Sequence, residues 1–320
     1  VEVLKKSGAA KAEKKAARIA AEGIAKVAID GNTAVVVEVN SETDFVAKNA
    51  IFQEFVQAVA DKALTVDTEK AGDGEDVVSI LDMKADLDDK ILKIGEKISI
   101  RRFEKVTADV VASYIHGGGR IGVLVAGNGA SDDAAKEALT NIAMQIAAMN
   151  PQYISRDEIS ADELAKMKEI TIDSALNDPF SLPKPVLSKL IEKAVAGVWS
   201  AEDVAIYEEK KSNMNFLPNF LSKEAKAQLA EIACADKEEI SGNKIFSGLV
   251  EGRISKQMKE ICLLDQVYVK AEDGKQTVAA YLKSVNPALK IAKFVRFEVG
   301  EGMEKKNEDF AAEVAKQMNV

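Results

Sequence analysis

The chain has 320 residues, 47% hydrophobic and 30% charged, with a formal net charge of −9 at neutral pH. That is long enough for two or three compact units of a soluble, well-packed protein. The acidic balance argues against general nucleic-acid binding, which rests on neutralised phosphates, and no apolar run approaches membrane-spanning length. Two distant cysteines, Cys234 and Cys262, with a single histidine, His116, argue against a disulfide framework or a zinc cluster and for a reducing, cytoplasmic compartment.

Residues 2–22, rich in Ala, Lys and Glu, predict a helix ended by Gly23. Segments 25–29 and 33–39 flank Asp30-Gly31-Asn32, a strong hairpin signal, and Val35, Val37 and Val39 alternate as in a buried or half-buried strand. A helix over 46–64 follows, with Phe52, Phe55, Val56, Val59 and Ala63 recurring at spacings of three and four. An acidic loop over 67–76 leads to a second helix toward Lys93. Segments 97–106, 110–115 and 120–126 read as strands, with Gly117-Gly118-Gly119 turning between the last two. That glycine run lacks the Gly-Lys-Ser/Thr ending of a phosphate-gripping loop.

Residues 131–149 predict a helix capped by Ser131 and ended by Asn150-Pro151. Two amphipathic helices, 157–177 and 244–260, bracket a long insertion holding Pro179, Pro183, Pro185, Trp199 and Phe216-Leu-Pro-Asn-Phe220. Its prolines read as rigid turns between helices rather than as a recognition motif. Beyond it, 266–270 and 292–299 are predicted strands around a helix over 277–284, and a last amphipathic helix begins at Asn307. That tail repeats the order of strand, acidic turn and Asp-Phe helix start seen at Thr43-Asp44-Phe45, which suggests a duplicated α+β subdomain.

Ser41-Glu-Thr-Asp-Phe45, between strand and helix, is rich in residues that cap helices and hold tight turns. Two readings of it are open. In one, Ser41 or Thr43 is an ordinary N-cap, Glu42 and Asp44 suit the helix dipole, and Phe45 lies on the buried face with Phe52, Val56 and Val59. In the other, Phe45 stands exposed beside Asp44 as an aromatic anchor for a partner. No catalytic grouping competes with this segment. With 52 acidic residues no carboxylate pair is informative, His116 has no marked Ser or Cys partner, and neither cysteine carries a nucleophile motif.

The stretch Val39-Asn-Ser-Glu-Thr-Asp-Phe-Val-Ala-Lys-Asn49 closely resembles the signature of translation elongation factor Ts, the guanine-nucleotide exchange factor for elongation factor Tu. Further matches follow in the family's order. They are Lys5-Lys-Ser-Gly-Ala-Ala-Lys-Ala, Lys93-Ile-Gly-Glu-Lys-Ile-Ser-Ile-Arg-Arg102, His116-Gly with Arg120-Ile-Gly-Val-Leu-Val125, Val250-Glu-Gly-Arg253, Ile261-Cys-Leu-Leu264 and Arg296-Phe-Glu-Val-Gly-Glu-Gly302. Each is weak alone; collinear over most of the chain they are specific. The resemblance implies an α+β fold, with two related subdomains of antiparallel sheet covered by helices, a protruding coiled-coil-like helical hairpin and a C-terminal helix. The expected divisions are a helical lead at 1–23, core subdomains at 24–106 and at 107–154 with 261–300, an enlarged hairpin at 155–260, and a tail module at 301–320. Family members usually carry a three-helix module ahead of the position numbered Val1, so this chain is expected to be a fragment or to be numbered from inside a longer protein.

The resemblance also implies a non-enzymatic function, with no cofactor, metal or catalytic residue. The chain is expected to bind elongation factor Tu, GDP-bound and nucleotide-free, and to release GDP so that GTP can reload. Asp44 and Phe45, shaped by Thr43 and Val46, would press near the partner's magnesium and phosphate site, with Phe45 wedged between two helices. Ile121 and Gly122 match positions that approach the partner's phosphate-binding loop, although the residues read equally as a buried strand residue and a close-packing glycine. Gln145, after Ala143-Met144, stands where family members often have histidine. It can form the same kind of hydrogen bond but cannot carry charge. The tail helix resembles a module that docks on the partner's nucleotide domain, and the hairpin is an expected route to self-association. Neither nucleic acid nor membrane is expected as a partner. Two rival readings are a chaperone-like protein that holds elongation factor Tu without accelerating release, and an enzyme built on His116.

Overall fold

Residues 2–305 are described by the computed structural model. Helix α1 (Glu2–Lys15) stops short of the position its composition predicts. The chain at its end and beyond is drawn into tertiary contacts: Lys15 Nζ donates to the Gly95 carbonyl, and Lys97 Nζ donates to the Arg18 carbonyl at 2.9 Å. Gly23 is therefore not a helix cap. It lies in β1 (Glu22–Asp30) with φ of 132°, where a Cβ would sit 2.1 Å from the Val39 carbonyl oxygen. The glycine serves the close approach of two strands.

The predicted hairpin forms as β1 and β2 (Thr33–Ser41), antiparallel, with Gly31 at φ 59° in the two-residue loop. The helix expected over 46–64 is broken in two. A single turn, α2 (Asp44–Ala47), is followed by α3 (Ala50–Thr65), because Asn49 caps α3 by accepting from Ile51 N at 2.9 Å and Phe52 N at 3.2 Å. After α3 come β3 (Lys70–Ala71), the short α4 (Val77–Ile80), α5 (Lys84–Ile94) and β4 (Ser99–Thr107). The first sheet has the order β1-β2-β4-β3.

The second sheet repeats the plan. Strands β5 (Val110–His116) and β6 (Ile121–Asn128) form a hairpin, α6 (Asp133–Met149) follows, and a later strand, β7 (Lys290–Glu298), adds to β6 in the order β5-β6-β7. In each subdomain, hairpin and helix are followed by a strand that pairs antiparallel with the hairpin's second strand. The cap of α6 is Asp132, which accepts from Ala135 N at 3.0 Å, not Ser131 as expected. The carboxylate at 132 is one residue closer to the first free N–H groups of this helix.

The alternation of β2 has two destinations. Val35, Val37 and Val39 join Phe52, Phe55, Val56 and Val59 of α3 in one core. Ala34 and Val36 face the other way, against Val111, Leu124, Ala126, Val295 and Phe297 of the second sheet. The two sheets therefore pack face to face, with α3 covering the outer face of the first and α6 the outer face of the second. This is the α+β arrangement of two related antiparallel sheets.

The described chain divides into two compact units, one built from residues up to Ile154 and from Gln266 on, the other Ser155–Asp265. The second is wholly helical, with α7 (Ala161–Leu176) and α13 (Lys244–Ile261) packed together as expected for a hairpin. It is more than a two-helix hairpin. Between that pair run α8 (Lys184–Gly197), α9 (Ala201–Lys210), α10 (Leu217–Phe220), α11 (Lys223–Ala235) and α12 (Lys237–Ser241). They share a core of Leu176, Leu190, Ile191, Leu217, Leu229 and Phe246. Pro183 and Pro185 open α8, where a missing N–H costs nothing. Trp199 is buried and donates from Nε1 to the Ala225 carbonyl at 3.0 Å.

Residues 266–270 do not form the predicted strand. Val267 makes one isolated bridge to Thr277, and the segment is a loop before α14 (Val278–Val285). Among the described residues, no helix is long and apolar enough to cross a membrane. The expected tail helix from Asn307, and the repeat of the Asp-Phe motif within it, lie outside the described residues.

Candidate partner-binding site

Phe45 is 80% exposed, the outcome that an uninterrupted helix would have prevented. Capping by Asn49 ends α2 after one turn, so Phe45 is not carried round onto the face of Phe52 and Val56. Leaving a phenylalanine in water forgoes about 1.5–3 kcal/mol of burial. Asp44 beside it is also exposed, and its carboxylate lies 4.0 Å from Lys48 Nζ, an exposed pair of little energetic weight. Val46 is half-buried against the core of the first sheet, and Ala47 is buried.

Thr43 sets this geometry. Its Oγ1 accepts from Val46 N at 3.3 Å and donates to Glu96 Oε1 at 2.6 Å. The other oxygen of Glu96 accepts the backbone N–H of Glu42 at 3.0 Å and of Thr43 at 3.1 Å. Ser41, fully buried, donates its hydroxyl to the Thr43 carbonyl at 2.9 Å.

Below the tip, Glu38 is completely buried on β2. It accepts from Arg102 Nε at 2.6 Å, Arg101 Nη1 at 3.2 Å, Asn40 Nδ2 at 2.9 Å and the Gly300 N–H at 2.9 Å. The Arg102 guanidinium stacks over the Phe297 ring, 4.1 Å from its centroid. Arg101 also pairs with Asp73, and that guanidinium holds the Asp73 carboxyl below the usual carboxylate range. Three of the separate motifs thus meet beneath one loop: the acidic-aromatic stretch, the Gly-Glu…Arg-Arg stretch, and the Arg-Phe-Glu-Val-Gly-Glu stretch. Sequence reasoning assigned no role to Glu38, Glu96, Arg101, Arg102 or Gly300. The last four stand in the resembling motifs, which was the available signal; Glu38 lies one residue before the first of them.

The other expected contact residues lie deeper. Ile121 and Gly122 are buried at the start of β6. A Cβ on Gly122 would lie 2.9 Å from Val36 Cγ2 and 3.0 Å from Ala25 Cβ, so the residue lets the two sheets approach. The turn preceding them, however, reaches the tip's surroundings. A cleft of about 250 Å³ is lined by Asp44, Ala47 and Lys48 on one side and by Gly117, Gly118 and Arg120 on the other. Its neighbour, about 360 Å³, is lined by Ile19, Glu22, Glu42, Thr43, Asp44 and Phe45, and Lys305 borders both.

Gln145 is fully buried on α6 and is occupied internally. Its Nε2 donates to Gln266 Oε1 at 3.1 Å and to the Val267 carbonyl at 3.0 Å, while its Oε1 accepts from Val269 N at 2.8 Å. His116 ends β5 with Nδ1 3.1 Å from the Tyr114 hydroxyl. Cys262 is buried, which pushes its thiol up and away from the thiolate. Among the described residues, no group of three or more His, Cys, Asp or Glu is placed to hold a metal ion.

The Asp44–Phe45 turn thus presents a carboxylate and an aromatic ring to solvent beside these clefts. Residues 42–301 match the family model described as Elongation factor TS. The chain is 39% identical to elongation factor Ts of Clostridioides difficile (strain 630), over 99% of this chain and 88% of that protein. It is 35% identical to elongation factor Ts of Limosilactobacillus reuteri (strain DSM 20016), over 100% of this chain and 87% of that one. The chain belongs to the elongation factor Ts family, and so to the translation elongation factors of protein biosynthesis.

Proposed function

We propose that this chain binds elongation factor Tu and promotes release of its GDP, with the Asp44–Phe45 tip as the acting element. The observation that carries the reading is Phe45 held 80% exposed on a turn whose backbone is fixed from both ends. A desolvated aromatic anchor is worth about 2 kcal/mol or more at an interface hot spot. Wedged beside a nucleotide site, it can displace groups that support magnesium and phosphates, and small displacements there cost a nucleotide much of its electrostatic hold. By linkage, a factor that binds the empty partner more tightly than the loaded one must weaken GDP binding by the same factor, and GTP reloading then expels it.

The role requires no covalent chemistry and belongs to the cytoplasm, where translation proceeds. The sheet subdomains, 24–106 and 107–154 with 261–300, serve as the platform, and the helical insertion 155–260 is the element available for self-association. The test is release of a fluorescent GDP analogue from purified elongation factor Tu at substoichiometric amounts of this chain. Acceleration supports exchange. A stable complex without acceleration supports holding alone and removes the exchange reading.

A further inference from the structure

A helix of one turn cannot hold its own shape, since nucleation costs more than so few hydrogen bonds return. Residues Asp44–Ala47 are such a turn, and their most prominent side chain, Phe45, adds no burial to fix them. Thr43 Oγ1 reaches Val46 N only at 3.3 Å, and the Asp44–Lys48 pair is exposed. The conformation of the tip must be imposed from outside it.

At its far end the buried Ala47 and the Asn49 cap hold it; at its entry the source is the connection between α5 and β4. Helix α5 ends at Gly95 in the left-handed region, φ 87°, which turns the chain so that Glu96 faces the tip. Glu96 takes three donors from residues 42 and 43: two backbone N–H groups and the Thr43 hydroxyl. The arrangement is reciprocal, because Glu42 Oε1 accepts the Lys97 N–H at 2.7 Å and Arg18 Nη1 at 3.3 Å. Two carboxylates, each bonded to the backbone of the other's strand end, clamp the tip's entry to the start of β4. Hydrogen bonds to an ionised acceptor are roughly twice as strong as neutral ones.

We infer that Glu96 is a positioning residue for the tip, acting through Thr43 and the Glu42 backbone to present Asp44 and Phe45 in one conformation. The inference rests on the tip being the exchange element. An anchor whose backbone is already ordered before contact loses less conformational freedom on insertion, and small misplacements of an acting group are costly. Glu96 therefore acts on the rate at saturation more than on complex formation.

The experiment compares the unmodified chain with Glu96→Ala, Glu96→Gln, Thr43→Val and Thr43→Ser. It measures stimulated GDP release against concentration, together with amide hydrogen exchange along the chain. Glu96→Ala is expected to lower the maximal release rate about tenfold or more, with a smaller change in the half-saturating concentration. Glu96→Gln falls between, since it keeps one of two acceptor oxygens. Thr43→Val follows Glu96→Ala, and Thr43→Ser restores activity. Amide exchange should quicken at residues 42–47 while the β2 and β4 cores stay protected. Unchanged maximal rate in Glu96→Ala, while Phe45→Ala is inactive, would overturn the positioning role. So would exchange that quickens throughout the first sheet, which marks a general stability role. If the unmodified chain gives no acceleration, the exchange reading itself fails, and local quickening at 42–47 would then support the clamp alone.

Discussion

The backbone N–H of Gly300 donates to the buried Glu38 carboxylate at 2.9 Å, joining residues 262 positions apart beneath the exposed turn. Gly300 has φ of 78°, and a Cβ there would lie 2.4 Å from the Ala21 carbonyl, so only glycine brings its N–H into that position. Through this contact the end of the second sheet's last strand supports the strand that carries the tip.

Breaking the cluster should therefore be costly. Glu38→Ala leaves Arg101 and Arg102 largely buried with their main acceptor gone, and uncompensated buried charge typically costs about 3–5 kcal/mol. Urea unfolding followed by far-ultraviolet circular dichroism measures it. A loss below about 1 kcal/mol would show that the two guanidiniums find other acceptors.

Gly122→Ala places a methyl group against Val36 and Ala25 between the sheets. Overpacking at such a contact is expected to lower stability by about 1–3 kcal/mol. A variant as stable as the original chain would mean that the sheets separate easily here, leaving the glycine to be explained by partner contact alone.

Gln145→Leu should loosen the loop that follows the helical insertion. It leaves the Val269 N–H and the Val267 carbonyl without the acceptor and donor they have now, at a cost of about 1–3 kcal/mol. Faster amide exchange at Val269, with α6 otherwise protected, is the expected result. Unaltered protection there would mean that the loop is held by the Tyr268–Tyr281 ring stack, 4.2 Å between centroids, and not by the glutamine.

The helical unit offers a pH test. Burial pushes the Asp203 carboxyl up, but hydrogen bonds from the Ser222 backbone and hydroxyl and from the Ser200 hydroxyl outweigh it, leaving the group below its ordinary value. A depressed carboxyl contributes stability that is fully present above its unfolded pKa and is lost as pH falls through the folded one. Trp199, the single tryptophan, reports this unit's unfolding. The stability difference between the chain and Asp203→Asn should be largest at neutral pH and should shrink below the ordinary carboxylate range. A difference independent of pH would contradict the assignment.

Local pattern was enough for much of this fold. The Asp30-Gly31-Asn32 turn, the valines of β2 and the spacing of Phe52, Phe55, Val56 and Val59 depend on neighbours in sequence, and the structure places them as read. Where pattern and structure differ, a distant contact or a competing cap decides. Asn49 broke a helix whose periodicity ran on, and Gly23 answered to Val39 rather than to the helix before it. Residues 266–270 have a strand's composition but form only one isolated bridge, and Gln145 takes the hydrogen bonds of the Val267 carbonyl and the Val269 N–H. The tip's motif was legible from its residues, but its support was not. Glu96 and Glu38 reach their partners across dozens to hundreds of positions, which no local spacing encodes.

The most direct test of the central claim is the rate of fluorescent GDP release from elongation factor Tu with the unmodified chain and with Phe45→Ala. Phe45 is exposed, so its removal should leave folding stability within about 0.5 kcal/mol. Fast release is expected with the unmodified chain and a sharp fall with the equally stable variant. Release equally fast with both would contradict the claim that this side chain is the acting element.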